Sequence, residues 1–94
     1  MKGTRPIVPG SVVRSKAGRD AGRYFVVMSL EGEDFAWVSD GKLRGIDRQK
    51  RKRRKHLYVT EAYVSDLQER LTAGQAVENH EIRAWLKALT QKEE

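Results

Sequence analysis

A chain of 94 residues holds one domain's worth of sequence. Folding at that length hides only about 60–65% of the surface an unfolded chain exposes, which argues against a deep cleft assembled from many elements. The absence of cysteine excludes a disulfide framework and any thiolate metal site. No stretch approaches the roughly 20 apolar residues of a membrane span, and the first ten residues lack the apolar core of a secretory signal, so a soluble, cytoplasmic protein is expected.

The formal charge of +6 is segregated. Residues 1–60 hold 15 Lys or Arg against 6 Asp or Glu, a net of +9, and residues 61–94 hold 4 against 7, a net of −3. Charge kept only for solubility would be interspersed. Segregation implies that the first two-thirds meet an anionic partner and the last third does not.

In chain order, residues 1–9 read as an extended lead-in set by Pro6 and Pro9. SVVRSK after Gly10 is a short β-prone stretch, and YFVVMSL is the strongest strand signal, a nearly continuous apolar run. A polar turn at Glu31, Gly32, Glu33 and Asp34 leads to FAWVS, which Asp40-Gly41 closes. KLRGI reads as a weak edge strand and LYVT as the last strand. Residues 10–60 therefore predict a mainly β unit, a small, strongly curved antiparallel sheet or barrel of about five short strands. Tyr24, Phe25, Phe35, Trp37 and Tyr58 are expected to supply much of its bulk.

Residues 61–90 change character and predict two short C-terminal α-helices. Thr60 is the candidate N-cap of the first, with Val64, Leu67 and Leu71 at helical spacing and Gly74 at its end. Asn79 is the candidate N-cap of the second, with Ile82, Trp85, Leu86 and Leu89 on one face and Glu81 in its first turn. Helices this short need something to lie on, either the barrel or each other. Residues 91–94 are expected to fray.

Two stretches invite a functional reading. SKAGRDAGR places Gly18 and Gly22 four apart among Lys16, Arg19 and Arg23. The glycines serve a tight reversal, and they also let a large ligand approach the backbone N–H groups. RQKRKRRK puts seven cations in eight residues: Arg48, Lys50, Arg51, Lys52, Arg53, Arg54 and Lys55. A run of this kind is expected to stay at the surface and to need a polyanion. With roughly 4–6 phosphates neutralised on single-stranded RNA, log affinity should fall with log salt at about −0.7 per phosphate. Phe35 and Trp37 share one face of a strand, which is either core or an exposed stacking surface. His56 and His80 have no partner at metal or triad spacing, and no nucleotide fingerprint is present. The residues point to a protein that is not an enzyme and needs no cofactor.

PGSVVRSKAGRDAGRYFVV resembles the KOW motif: paired valines after a glycine, a basic glycine-containing loop, then a second apolar strand. SDGKLR, KHL and VENHEIRAWLKAL extend the likeness over most of residues 7–89 to small bacterial KOW-domain RNA-binding proteins, related to archaeal and eukaryotic large-subunit ribosomal proteins. The segment between Arg44 and Lys55 is unusually arginine-rich for that pattern, and the lead-in is longer. The resemblance implies an SH3-like barrel with Gly18, Arg19, Gly22 and Arg23 in an RNA-facing loop and with Lys55 and His56 near the basic surface. Lys16, Lys42, Arg44 and the remaining cations of the block complete the expected RNA-binding set. Ribosomal or transfer RNA, on or near the large ribosomal subunit, would be the partner, with no membrane and no small-molecule substrate. Two alternatives stay open: a protein-interaction module using the barrel and an amphipathic tail carrying Trp85, and a binder of duplex DNA.

Overall fold

A computed structural model describes residues 6–90. The first five residues of the lead-in and the tail expected to fray at 91–94 lie outside the described residues. Five strands form one antiparallel sheet: β1 (Ser11–Ser15), β2 (Tyr24–Glu31), β3 (Phe35–Ser39), β4 (Lys50–Arg53) and β5 (Leu57–Tyr63). Their spatial order is β4-β3-β2-β1-β5. A single 3₁₀ turn, Arg54–His56, joins the two outermost strands, and α1 (Leu67–Thr72) and α2 (Asn79–Thr90) follow. The mainly β unit of about five strands with two C-terminal helices is as expected from the sequence.

The continuous apolar run of β2 has a direct cause: its middle is buried on both faces. Phe25 and Val27 join Val13, Ala36, Val38 and Leu57 in one core, on one face of the sheet. Val26 and Met28 join Val12, Val64, Leu67, Val77 and Ile82 in a second core, between the sheet and the helices. Two-sided burial removes the polar alternation that a half-exposed strand would show. A register shift between Val27 and Ser29 then reverses the parity of β2, so Leu30 pairs with the buried Ala36 and Glu31 pairs with Phe35.

Four expectations are corrected. Thr60 is not a helix cap but a residue of β5, where its hydroxyl donates to the Val12 carbonyl at 2.8 Å and accepts from the Ala62 amide. Strand pairing reaches Ser11↔Tyr63, so the sheet overrides the local helical spacing and α1 begins only at Leu67. Gly74, with φ +76°, does end α1, and the Gln75 amide reaches back to the Arg70 carbonyl. KLRGI forms no strand, because the Asp40 carboxylate draws in the Lys42 and Arg44 amides at 2.8 and 2.9 Å and curls the chain into turns. The fourth strand lies in the basic block instead. Among the five aromatics expected in the core only Phe25 is fully buried, since Phe35 and Trp37 alternate outward from Ala36 and Val38, and Tyr58 is exposed.

α2 lies on the sheet. Ile82 is fully buried, and Trp85, Leu86 and Leu89 pack against the same core. Its first turn clamps the β3–β4 loop: the Asn79 side-chain oxygen accepts from the Ile46 amide at 2.8 Å, and Arg83 donates to the Gly41 carbonyl at 2.6 Å. The expected capping oxygen of Asn79 therefore serves a loop 33 residues away. Gly41 (φ +75°) admits this contact, because a Cβ there would stand 2.6 Å from the Asn79 carbonyl.

Candidate nucleic-acid interface

The basic block enters the fold as a strand, which sorts its cations by parity. β4 pairs with β3 as Trp37↔Arg51 and Ala36↔Lys52, so Lys52 turns toward the core that contains Ala36 and Arg51 away from it. Lys52 is buried, contrary to the expectation that the run stays at the surface. Its ammonium donates to the Ser15 hydroxyl oxygen at 2.9 Å, the Asp20 carboxylate at 3.0 Å and the Ala17 carbonyl at 3.3 Å. Lys50 stands 3.0 Å from the other Asp20 oxygen, and the Ser15 hydroxyl donates to Asp20 at 2.7 Å. Burial pushes the Asp20 carboxyl up, but the Ser15 hydroxyl and the two ammonium groups outweigh it and hold the group well below the usual carboxylate range. A lysine is buried here because the β1–β2 loop supplies its counter-charge and acceptors.

The outward residues of β4 are partly neutralised as well. Arg51 makes a two-pronged contact with Glu31, Nε to Oε1 at 3.0 Å and Nη2 to Oε2 at 2.9 Å, while Trp37 Nε1 donates to Oε1 at 2.9 Å. The Arg51 guanidinium lies 3.6 Å from the Phe35 ring centre and that of Arg53 lies 4.8 Å from it. Phe35 and Trp37 are thus outside the core: arginine covers the Phe35 ring, and the Trp37 indole is tied to Glu31. Arg54 donates to the Gly32 carbonyl at 2.5 Å, and Arg53, Arg54 and Lys55 line a recess opposite Glu33 and Asp34. Within the run, Lys50, Lys52 and Arg51 have carboxylate partners inside 4.0 Å, whereas among the described residues Arg48, Arg53 and Lys55 have none.

The β1–β2 loop is a rigid exposed element. The Ser15 amide bonds the Arg23 carbonyl, the Gly22 amide bonds the Ser15 carbonyl, and the Arg23 amide bonds the Asp20 carbonyl, all within 2.8–2.9 Å. Gly18 and Gly22 have φ of +85° and +89°, so the turn itself requires them. A Cβ on Gly22 would meet nothing within 4 Å, which leaves the backbone there open to a ligand. Lys16, Arg19 and Arg23 are exposed around it.

Two contacts stitch this loop to its neighbours. The Lys16 amide donates to the His56 carbonyl at 2.8 Å, which sets Lys55 and His56 beside it. Arg23 lies 3.6 Å from Asp40, which organises the backbone of Lys42 and Arg44. The β1–β2 loop with Lys16, Gly18, Arg19, Gly22 and Arg23 therefore neighbours both the β3–β4 loop, which carries Lys42, Arg44 and Arg48, and the turn with Lys55 and His56. Lys50 and Lys52 are instead paired with Asp20 beneath the first loop, and Arg51 with Glu31. Asp20 and Asp40 are buried and engaged, whereas Asp47 in the β3–β4 loop and Glu33 and Asp34 in the recess beside Lys55 are exposed acids. Arg14 lies outside the expected RNA-binding set, and Tyr58, expected to fill the barrel, lies at the surface instead. They pair across β1 and β5, with the guanidinium 5.0 Å over the half-exposed ring, one strand step from Lys16 and His56. Their i, i+2 spacing to those two residues was the available signal.

Among the described residues no three His, Asp or Glu are grouped so as to hold a metal ion, and no helix is long and apolar enough to cross a membrane. Compared with known protein-family models and with curated proteins, the chain matches none of them.

Proposed function

We propose that this chain is a non-enzymatic RNA-binding domain of the cytoplasm, whose loop rim grips the phosphate backbone of a structured RNA, ribosomal or transfer, on the large ribosomal subunit or elsewhere in translation. The observation that carries the reading is the contrast in partners. Lys16, Arg19, Lys42, Arg44, Arg48 and Lys55 are exposed with no carboxylate within 4.0 Å among the described residues, and Asp20 and Asp40, the acids that brace the loops carrying Lys16, Arg19, Lys42 and Arg44, are buried. Cations without internal partners, on a backbone held by hydrogen bonds, suit recognition of phosphate by shape. The resemblance of residues 7–89 to KOW-domain proteins points the same way.

The rival reading, a protein-interaction module docking through the tail, meets an obstacle. The apolar stripe of α2 already lies on β2 and β5, and offering it to a partner would expose Ile82 and open the second core. A gel-shift titration with folded ribosomal RNA at about 50 and 200 mM salt tests the proposal: affinity should drop by two or more decades between the two, as phosphate neutralisation requires. Undetectable or salt-independent binding would reject it.

A further inference from the structure

Beside the rim, a groove of about 390 Å³ runs between the end of the β1–β2 loop, the β3–β4 loop and α2. Arg23, Lys42, Arg83 and Lys87 line it, with Tyr24 and Leu86 providing an aromatic and an aliphatic wall. Asp40 is the acid of the lining, and its charge is already committed to two backbone amides and to Arg23. The groove is therefore cationic on its polar side.

The charge pattern of the tail makes this placement informative. Residues 61–90 contain three Lys or Arg in an otherwise acidic third of the chain: Arg70, Arg83 and Lys87. Arg70 is ion-paired with Glu81 at 2.6 Å, and both of the others line this groove. Arg83 is also pre-oriented, since one of its N–H groups is fixed on the Gly41 carbonyl while the guanidinium keeps further donors. The volume lies within the range of small-ligand sites, roughly 300–1,000 Å³.

We propose that the groove binds a single nucleotide, extruded from the bound RNA. Its phosphate lies among Arg23, Lys42 and Lys87, and its base lies against Tyr24 and Leu86. Unstacked bases are commonly held against aromatic rings and arginine planes, and a phosphate-only contact would need no apolar wall. This inference rests on the RNA reading above and deepens it, adding a pocket to a backbone-gripping rim.

The test is an amide-resolved NMR titration with each of the four 5′-nucleoside monophosphates and, separately, inorganic phosphate. Nucleotide should shift Arg23, Tyr24, Lys42, Arg83 and Lys87, and should bind at least about tenfold more tightly than phosphate. The exposed pair Lys42→Glu and Lys87→Glu should weaken nucleotide at least about tenfold with the circular dichroism spectrum unchanged. Equal affinity for phosphate, no shifts at these residues, or an unaffected double variant would each overturn the proposal. The gel shift with Lys16, Arg19 and Lys55 changed to Gln separates the two readings. In the native chain, RNA binding without any nucleotide response overturns only the groove, and a nucleotide response without RNA binding overturns the rim.

Discussion

The β1–β2 loop and the basic block look alike in sequence and differ in the fold. The loop has three cations in residues 15–23, and all three reach solvent. The block has seven in eight residues, yet β-pairing turns Lys50 and Lys52 inward onto Asp20 and sets Arg51 on Glu31. Charge density along a chain is therefore a poor measure of charge offered to a partner. What counts is whether the fold has already supplied counter-charges. The sparser stretch is the better-presented one, and the dense one builds the support beneath it: Lys52, reaching from β4 to Ser15, Ala17 and Asp20, holds the loop that carries Lys16 and Arg19.

The largest effect should come from cutting that support. Asp20→Ala leaves a buried ammonium without its carboxylate, and breaking a buried pair from one side costs about 3–5 kcal/mol. For a domain of this size the midpoint of a thermal melt should fall by more than about 10 °C. A drop of only a degree or two would mean that the block is not a structural element. Next in size is a comparison of two glycines with left-handed backbone. Gly41→Ala must both adopt φ +75° and push a methyl into the Asn79 carbonyl, whereas Gly22→Ala bears only the backbone cost of about 1–2 kcal/mol. Chemical denaturation should rank Gly41→Ala as clearly the worse. Equal losses would show that α2 does not clamp the β3–β4 loop.

Acid should reveal the same asymmetry more gently. The Asp20 carboxyl is lowered in the fold, so its contribution is complete above the unfolded value of about 3.9 and disappears as pH falls through the folded value. Glu81, lowered to about 2 by the Arg70 guanidinium and then by the Glu78 amide, follows the same sign, though its exposure makes the effect slight. Melting temperature should hold steady from pH 7 to about 5 and decline below about 4, less steeply in Asp20→Asn. A smaller effect still is expected from Glu31→Gln, which releases the Arg51 fork from its carboxylate. RNA affinity should rise by a few-fold at low salt, and a fall would place Glu31 in the interface.

Much of this architecture is legible in the sequence. β1, β2, β3, the core of β5 and all of α2 follow from apolar pattern and turn chemistry. β4 does not, because pattern reading sorts residues into apolar and polar, and both faces of Lys-Arg-Lys-Arg read as polar. The usable clue was chemical: lysine and arginine alternate at the strand period, and a lone Asp20 in a basic loop needs a partner. Thr60 reads as a helix cap because helical spacing in Val64, Leu67 and Leu71 is local, whereas the pairing of Ser11 with Tyr63 spans 52 positions. The groove could not be foreseen, since it joins three segments that only the packing of α2 brings together.

The most direct measurement compares salt dependence. RNA affinity should be followed against salt for the native chain, for Lys16, Arg19 and Lys55 changed to Gln, and for Arg51→Gln. Loss of phosphate contacts at the rim should lower the slope of log affinity against log salt by about 2, with Arg51→Gln within a few tenths of the native value. A slope unmoved by the rim variant but lowered by Arg51→Gln would contradict the account, and would return RNA attraction to the strand-bound block.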